Sequence, residues 1–190
     1  LAACDPSPVA PDRTVRLRGR LSGFPSVEMV NRAGMADRSA NADASGEFEF
    51  AWAGRDLTGT FGERTFYLRA ERNGAWVSSS DFQLRNDFQA PLLTLWDPNV
   101  EWKRTGDDLA VRFAPIQGAG YQRISEYRVW IAYRSAGRSS DEIVPVAVPA
   151  GGGTVRLPGD GSEIRVRIDA VGEGEPLSLT YHSREEALQR

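Results

Sequence analysis

The 190-residue chain has one cysteine, one histidine and one lysine, and each scarcity excludes something. A single cysteine, Cys4, makes no internal disulfide and no zinc site of cysteine type, so the fold must stand on packing alone. A single histidine, His182, leaves one candidate base for a Ser–His–Asp system. It lies near the C-terminus, where a surface residue on a mobile tail is expected. Lys103 has Val100 three residues before it, so no Ser-x-x-Lys pair exists. No apolar run approaches the ~18 residues that a membrane helix needs, and no stretch shows a convincing helical period.

Charge excludes another class. The net charge is -3, and neither half carries a basic excess, so a nucleic-acid partner is not expected. Of the 23 basic residues 22 are arginine. The acid pairs Asp107-Asp108 and Asp141-Glu142 precede strand-like segments without the Asp-x-Asp-x-Asp-Gly spacing of a calcium loop, and read as solvated turns. Gly118, Gly120 and Gly151–Gly153 have no strand-to-helix context and no following Lys-Ser/Thr, so they cradle no phosphate. No cofactor, metal or catalytic set is expected, and a small-molecule substrate is not expected either.

What the chain does have is period-2 alternation. Val15, Leu17, Gly19 and Leu21 share one face and Arg16, Arg18 and Arg20 the other, the pattern of a half-buried strand. Val27–Val30 is a short second strand. Ala44-Ser45-Gly46 turns into Glu47–Trp52, with aromatics inward and glutamates outward. Thr65–Arg72 and Ala75–Leu84 flank Asn73-Gly74, a strong hairpin signal because both residues tolerate positive φ. The rhythm resumes in Leu109–Phe113, Tyr127–Tyr133, Ile143–Val148 and Ile164–Ala170. Pro145 suits an edge strand, and Gly151–Gly153 reads as a turn or flexible loop. The fold class is all-β, two tandem antiparallel β-sandwiches.

Residues 1–12 read as an N-terminal segment and proline-rich tether, 13–88 as an immunoglobulin-like sandwich, 89–180 as a second sandwich and 181–190 as a tail or short helix. The boundary falls in the polar stretch 85–91, with Phe88 packing between the domains. Ser183 and Glu186 have capping-box spacing at the start of that helix.

Leu109-Ala-Val-Arg-Phe-Ala-Pro115, Ile124–Tyr133 and Leu157–Val171 together resemble strands B, C and the E–F corner with strand F of a fibronectin type III domain. The resemblance spans about residues 89–180. Phe113 stands where that family usually has tryptophan. Ile164 stands where it has the corner tyrosine, so that hydroxyl-to-backbone bond is absent or replaced. Ala42–Phe50 is similar to the turn and strand of transthyretin-like or carboxypeptidase-regulatory-like sandwiches.

Three features suggest contacts. Arg16, Arg18 and Arg20 lie about 7 Å apart along one strand, spaced to meet anions or to pair with Glu47 and Glu49 across the sheet; pairing is the favoured reading. Trp130 alternates out of phase with Val129 and Ile131 and should face solvent or a partner. Trp96 and Trp102 flank Asp97-Pro98-Asn99 near the domain junction. Exposed aromatic planes anchor protein interfaces or stack on sugars.

Leu1-Ala2-Ala3-Cys4 resembles the lipobox of bacterial lipoproteins. That resemblance implies a diacylglycerol on the Cys4 sulfur and a mature chain beginning there. Asp5–Asp12, with three prolines in eight residues, is the stiff spacer such an anchor needs, roughly 25 Å long at about 3.1 Å per residue. The expectation is a non-enzymatic lipoprotein of the bacterial cell envelope, held to the membrane by lipid on Cys4. Its sandwiches would contact other envelope proteins. The alternative is a glycan-binding surface lipoprotein using its exposed tryptophans.

Overall fold

The computed structural model describes residues 12–31, 34–54, 65–118, 120–135, 141–159 and 161–188. Cys4 and the proline-rich tether lie outside the described residues.

The first sandwich comprises β1 (Thr14–Ser22), β2 (Ser26–Asn31), β3 (Ala36–Asn41), β4 (Glu47–Ala53), β5 (Thr65–Arg72), β6 (Ala75–Ser79), β7 (Phe82–Gln83), β8 (Phe88–Gln89) and β9 (Leu93–Thr94). In one sheet β1 pairs antiparallel with β4 and parallel with β8 and β9. In the other, the order is β3-β2-β5-β6, with β7 on β5. Alternation sets the inward residues: Val15 and Leu17 of β1 and Phe48, Phe50 and Trp52 of β4 meet Met29, Phe66, Leu68 and Val77, all buried. Gly19 is in phase with this inward set because Phe48, its register partner, lies across it. A Cβ there would stand 2.5 Å from the Phe48 ring.

The second sandwich comprises β10 (Glu101–Thr105), β11 (Asp108–Arg112), β12 (Arg123–Ser135), β13 (Glu142–Val148), β14 (Gly152–Arg156), β15 (Gly161–Glu173), β16 (Leu179–His182) and β17 (Glu186–Ala187). The segments read as strands B, C and F are β11, β12 and β15. The first lies in the sheet β10-β11-β14 and the other two pair in the opposite sheet, as in immunoglobulin-type sandwiches. β13 is an edge, as Pro145 suggests, with Pro145 opposite Trp130. No hydroxyl stands at the corner position, and two tyrosines elsewhere in the second sandwich bond backbone through theirs. Ile164 is buried, Tyr127 Oη accepts a hydrogen bond from Ile116 N at 3.0 Å and Tyr181 Oη from Gln122 N at 3.3 Å.

The two sandwiches share a sheet. β16 pairs antiparallel with β6, Tyr181 opposite Val77 and His182 opposite Trp76. That pairing joins the facing sheets into one of ten strands, eight of them in the order β13-β12-β15-β16-β6-β5-β2-β3, with β17 on β15 and β7 on β5. Buried Val77, Leu179 and Tyr181 carry a continuous hydrophobic core beneath the seam.

Several expectations change. The stretch 85–91 does not divide the domains: Phe88-Gln89 and Leu93-Thr94 pair with β1, and Phe88 stacks on Phe82 at 5.6 Å inside the first sandwich. The boundary at 88/89 therefore moves to Leu95, since Trp96 packs on Phe113 and Tyr127. Of the tail or helix expected for 181–190, Tyr181 and His182 end β16 and Glu186-Ala187 pair with β15; residues 189–190 lie outside the described residues. Register with the sheet outweighs the weak helical preference of so short a segment. Gly152 and Gly153 are not a loop but open β14. β3 and β10 went unforeseen, since neither has an alternating apolar face.

Gly19→Ala should lower unfolding stability by about 1–3 kcal/mol, the cost of overpacking a filled core. Gly159→Ala, where a Cβ meets nothing within 4 Å, should stay within about 0.5 kcal/mol. Urea unfolding of the two variants checks both values.

Candidate functional site: the outer face of the seam

Side chains that alternate away from the core converge where the sandwiches join. β6 contributes Trp76 and Ser78, β16 His182, β15 Arg167 and Asp169, β12 Trp130 and β5 Arg69. The cross-strand register brings them together: Trp76 is opposite His182, Ser78 opposite Arg69, Asp169 opposite His182 and Trp130 opposite Arg167.

The guanidinium of Arg167 lies 3.9 Å from the centroid of the Trp130 ring and 4.6 Å from that of Trp76. Trp76 stacks on His182 at 4.5 Å with 18° between planes. Arg69 stands 5.8 Å from the Trp76 centroid and pairs with Glu71. A guanidinium held against aromatic faces and partly desolvated is worth on the order of 1–2 kcal/mol per contact. The row is built, in order, of Trp130, Arg167, Trp76 and His182.

Beneath it lies a hydrogen-bonded chain. Asp169 Oδ1 accepts from Arg167 Nε at 2.7 Å and from His182 Nδ1 at 2.8 Å, and His182 Nε2 is 3.1 Å from Ser78 Oγ. With Asp169 ionised, Nδ1 carries the proton directed at the carboxylate and Nε2 faces the Ser78 hydroxyl. Burial by itself pushes the Asp169 carboxyl up. The hydrogen bond and charge of His182, then those of Arg167, outweigh burial and hold it below the usual carboxylate range. His182 is thus not the exposed tail residue that its sequence position suggested; it is 9% exposed.

The order Ser78, His182, Asp169 is that of a nucleophile, base and orienting carboxylate. Acyl transfer also needs donors aimed at the developing oxyanion. β6 pairs on both sides at Val77 and Ser78, with β5 and with β16, so the backbone there is committed to sheet ladders. The relay ties β6 of the first sandwich to β16 and β15 of the second. Sequence reasoning missed it because its members are 78, 169 and 182, joined only by the β6–β16 and β15–β16 pairings; the alternation of Trp76 and Ser78 opposite Val77 was the available signal.

The other expected contact residues separate. Trp130 does face outward, but it is half-buried and covered by Arg167. Trp96 is 6% exposed and donates its indole N–H to Ala114 O at 3.2 Å. It is a core residue because the chain between Thr94 and Val100 turns its side chain into the second sandwich. Trp102 is half-buried, its indole N–H without a hydrogen-bond partner among the described residues. None of the three lies flat and open as a sugar platform.

Two of the three arginines in the row pair across the sheet. Arg16 and Arg18 both meet Glu49, Arg18 at 2.6 Å, and Arg20 donates to Ser45 O at 3.3 Å. The hydrogen bond from Arg18 is the main cause that holds Glu49 below its ordinary pKa. Among the described residues no group of three or more His, Cys, Asp or Glu could hold a metal ion. Likewise no helix is long and apolar enough to cross a membrane.

No family model matches the chain, and no curated protein does. Solved structures do. A DUF3823 family protein of Parabacteroides merdae is 11% identical with a TM-score of 0.38, over 94% of this chain and 100% of that one. A Bacteroides uniformis protein, named as a candidate carbohydrate-binding protein, is 12% identical with a TM-score of 0.37, over 95% and 100%. A two-domain fibronectin type III segment of chicken tenascin is 16% identical with a TM-score of 0.33, over 96% and 87%. These likenesses assign no family. The fold rests on the strand pairing described above.

Acid should probe the seam. A carboxyl with a depressed folded-state pKa contributes stability that is fully present above its unfolded value, about 3.9. That contribution is lost as pH falls through the folded value. Wild-type stability should therefore decline below about pH 4 more steeply than that of Asp169→Asn, read as urea midpoints at stepped pH. Equal slopes would remove Asp169 from the seam's energetics.

Proposed function

We propose that this chain is a non-catalytic binding protein of the bacterial cell envelope. In this reading lipid on Cys4 anchors it, and its fused sandwiches present one rigid platform to a protein partner. The observation that carries the reading is the β6–β16 pairing, which makes the two modules a single ten-stranded surface instead of beads on a linker. Tandem modules joined flexibly lose orientation on binding; a shared sheet removes that cost beforehand.

The outer face of the seam is the best-supported contact surface. It concentrates two tryptophans and an arginine, the residue types that most often dominate interface energetics. The Asp169–Arg167 pair holds that arginine in place, so little side-chain freedom remains to be lost when a partner covers it. The non-catalytic reading is supported by the absence of uncommitted backbone donors on either side of Ser78 within β6.

Two experiments test this. Capture from detergent-solubilised envelope with the immobilised full chain should recover a stoichiometric protein. Trp130→Ala should weaken that recovery about tenfold, and Trp130→Phe should restore most of it. Recovery of no stoichiometric protein, or the same recovery with Trp130→Ala, contradicts the docking face. For the anchor, intact mass of the native protein should give a chain beginning at Cys4 with a diacylglycerol-sized increment. An unmodified thiol at Cys4 refutes it.

A further inference from the structure

A second feature of the junction lies on its other side and owes nothing to the tryptophan row. The β5–β6 turn, the Asp97–Val100 segment and the residues after β16 enclose a groove of about 380 Å³ between the sandwiches. That is within the range of small-ligand sites, which favour domain interfaces.

Its walls are fixed. The β5–β6 hairpin is held by β16. Pro98 O accepts from Ala114 N at 2.7 Å, Leu95 O accepts from Tyr121 Oη at 2.8 Å, and Ser183 N donates to Ile168 O at 2.9 Å. Its side chains, by contrast, are unspent. Asn73, Asp97, Asn99, Arg184 and Glu186 line it and form no side-chain hydrogen bond or ion pair with the described residues. Two other lining residues are engaged: Arg72 donates to Gly23 O at 2.8 Å, and Ser183 Oγ accepts from Ile168 N at 2.9 Å and donates to Arg184 O at 3.1 Å. Asn73 and Asn99 are two of the three non-glycine residues at positive φ among those described, at 53° and 48°. Asparagine tolerates that conformation, and both place an amide at the rim.

The lining chooses the ligand class. Two arginines and two carboxylates cancel, so neither a phosphate nor a polyamine gains from net charge. Carboxylates only accept, guanidinium only donates and amides do both. A neutral molecule dense in groups that donate and accept together satisfies that set, and sugar hydroxyls are such groups. We infer that this interdomain groove binds a neutral saccharide edge-on, through hydrogen bonds and without an aromatic platform. The site goes beyond the protein-docking face and is independent of it.

Saturation-transfer NMR with the full chain tests the assignment, using neutral trisaccharides of α-glucose, β-glucose and N-acetylglucosamine beside glucuronate and a hexose phosphate. At least one neutral sugar should show transfer at millimolar concentration. Asp97→Ala and Asn99→Gly, the second keeping the positive φ available, should each weaken it roughly tenfold. Trp130→Ala should leave it unchanged, which separates this site from the docking face. No transfer to any neutral sugar, transfer to the charged sugars alone, or binding indifferent to Asp97 and Asn99 overturns the inference. Unfolding midpoints of the variants, matched to wild type, confirm that any loss arises in the groove.

Discussion

Everything distinctive here depends on one contact, the antiparallel pairing of β6 with β16. Four residue pairs, from Leu179–Ser79 to His182–Trp76, convert two edge strands into the centre of a sheet. An edge strand is a liability that proteins cover or blunt; these two cover each other. The pairing also fixes the angle between sandwiches, closes one side of the polar groove and assembles the stacked row on the other face. Buried Tyr181, whose hydroxyl accepts from Gln122 N, pins the same strand from below.

The seam is polar above and apolar below, and both halves matter. Apolar burial under β6 and β16 supplies most of the adhesion, at about 1.5–3 kcal/mol for each large side chain withdrawn from water. The relay above it supplies register. A one-residue slip of β16 would bring His182 to the core face and Tyr181 out, separating Ser78, His182 and Asp169. The slip would leave Asp169 paired with Arg167 on its own strand but take away its hydrogen bond from His182, so the slipped alignment is penalised more than its lost packing alone implies.

The strands were legible because period-2 alternation is a local signal. Leu17 against Arg16 and Arg18, or Ile168 against Arg167 and Asp169, announces a half-buried strand without reference to the rest of the chain. The fibronectin-like blocks fell on β11, β12 and β15 for the same reason. What failed was non-local. Phe88-Gln89 reads as linker because its partner, β1, is some seventy residues away. His182 reads as tail because nothing near it in sequence shows that β6 will lie alongside. The pairing of Arg16 and Arg18 with Glu49 was legible, since Glu49 sits directly opposite Arg18 in a neighbouring strand. The groove was invisible: Asp97-Pro98-Asn99 drew attention only through its flanking tryptophans, and the residues that matter there are the ones between them.

The parallel alignment of β8 and β9 with β1 has a mechanical consequence. β1 is the first strand after the N-terminal segment, and the chain leaves the first sandwich along β8 and β9, running in the same direction. Tension between a fixed N-terminus and a load held by the second sandwich pulls these parallel strands in opposite directions along their length. Their hydrogen bonds then bear force together, in shear, instead of opening one at a time like a zipper. A protein tethered at its start and loaded beyond Thr94 would thus resist extension at its first strand, before either core is exposed.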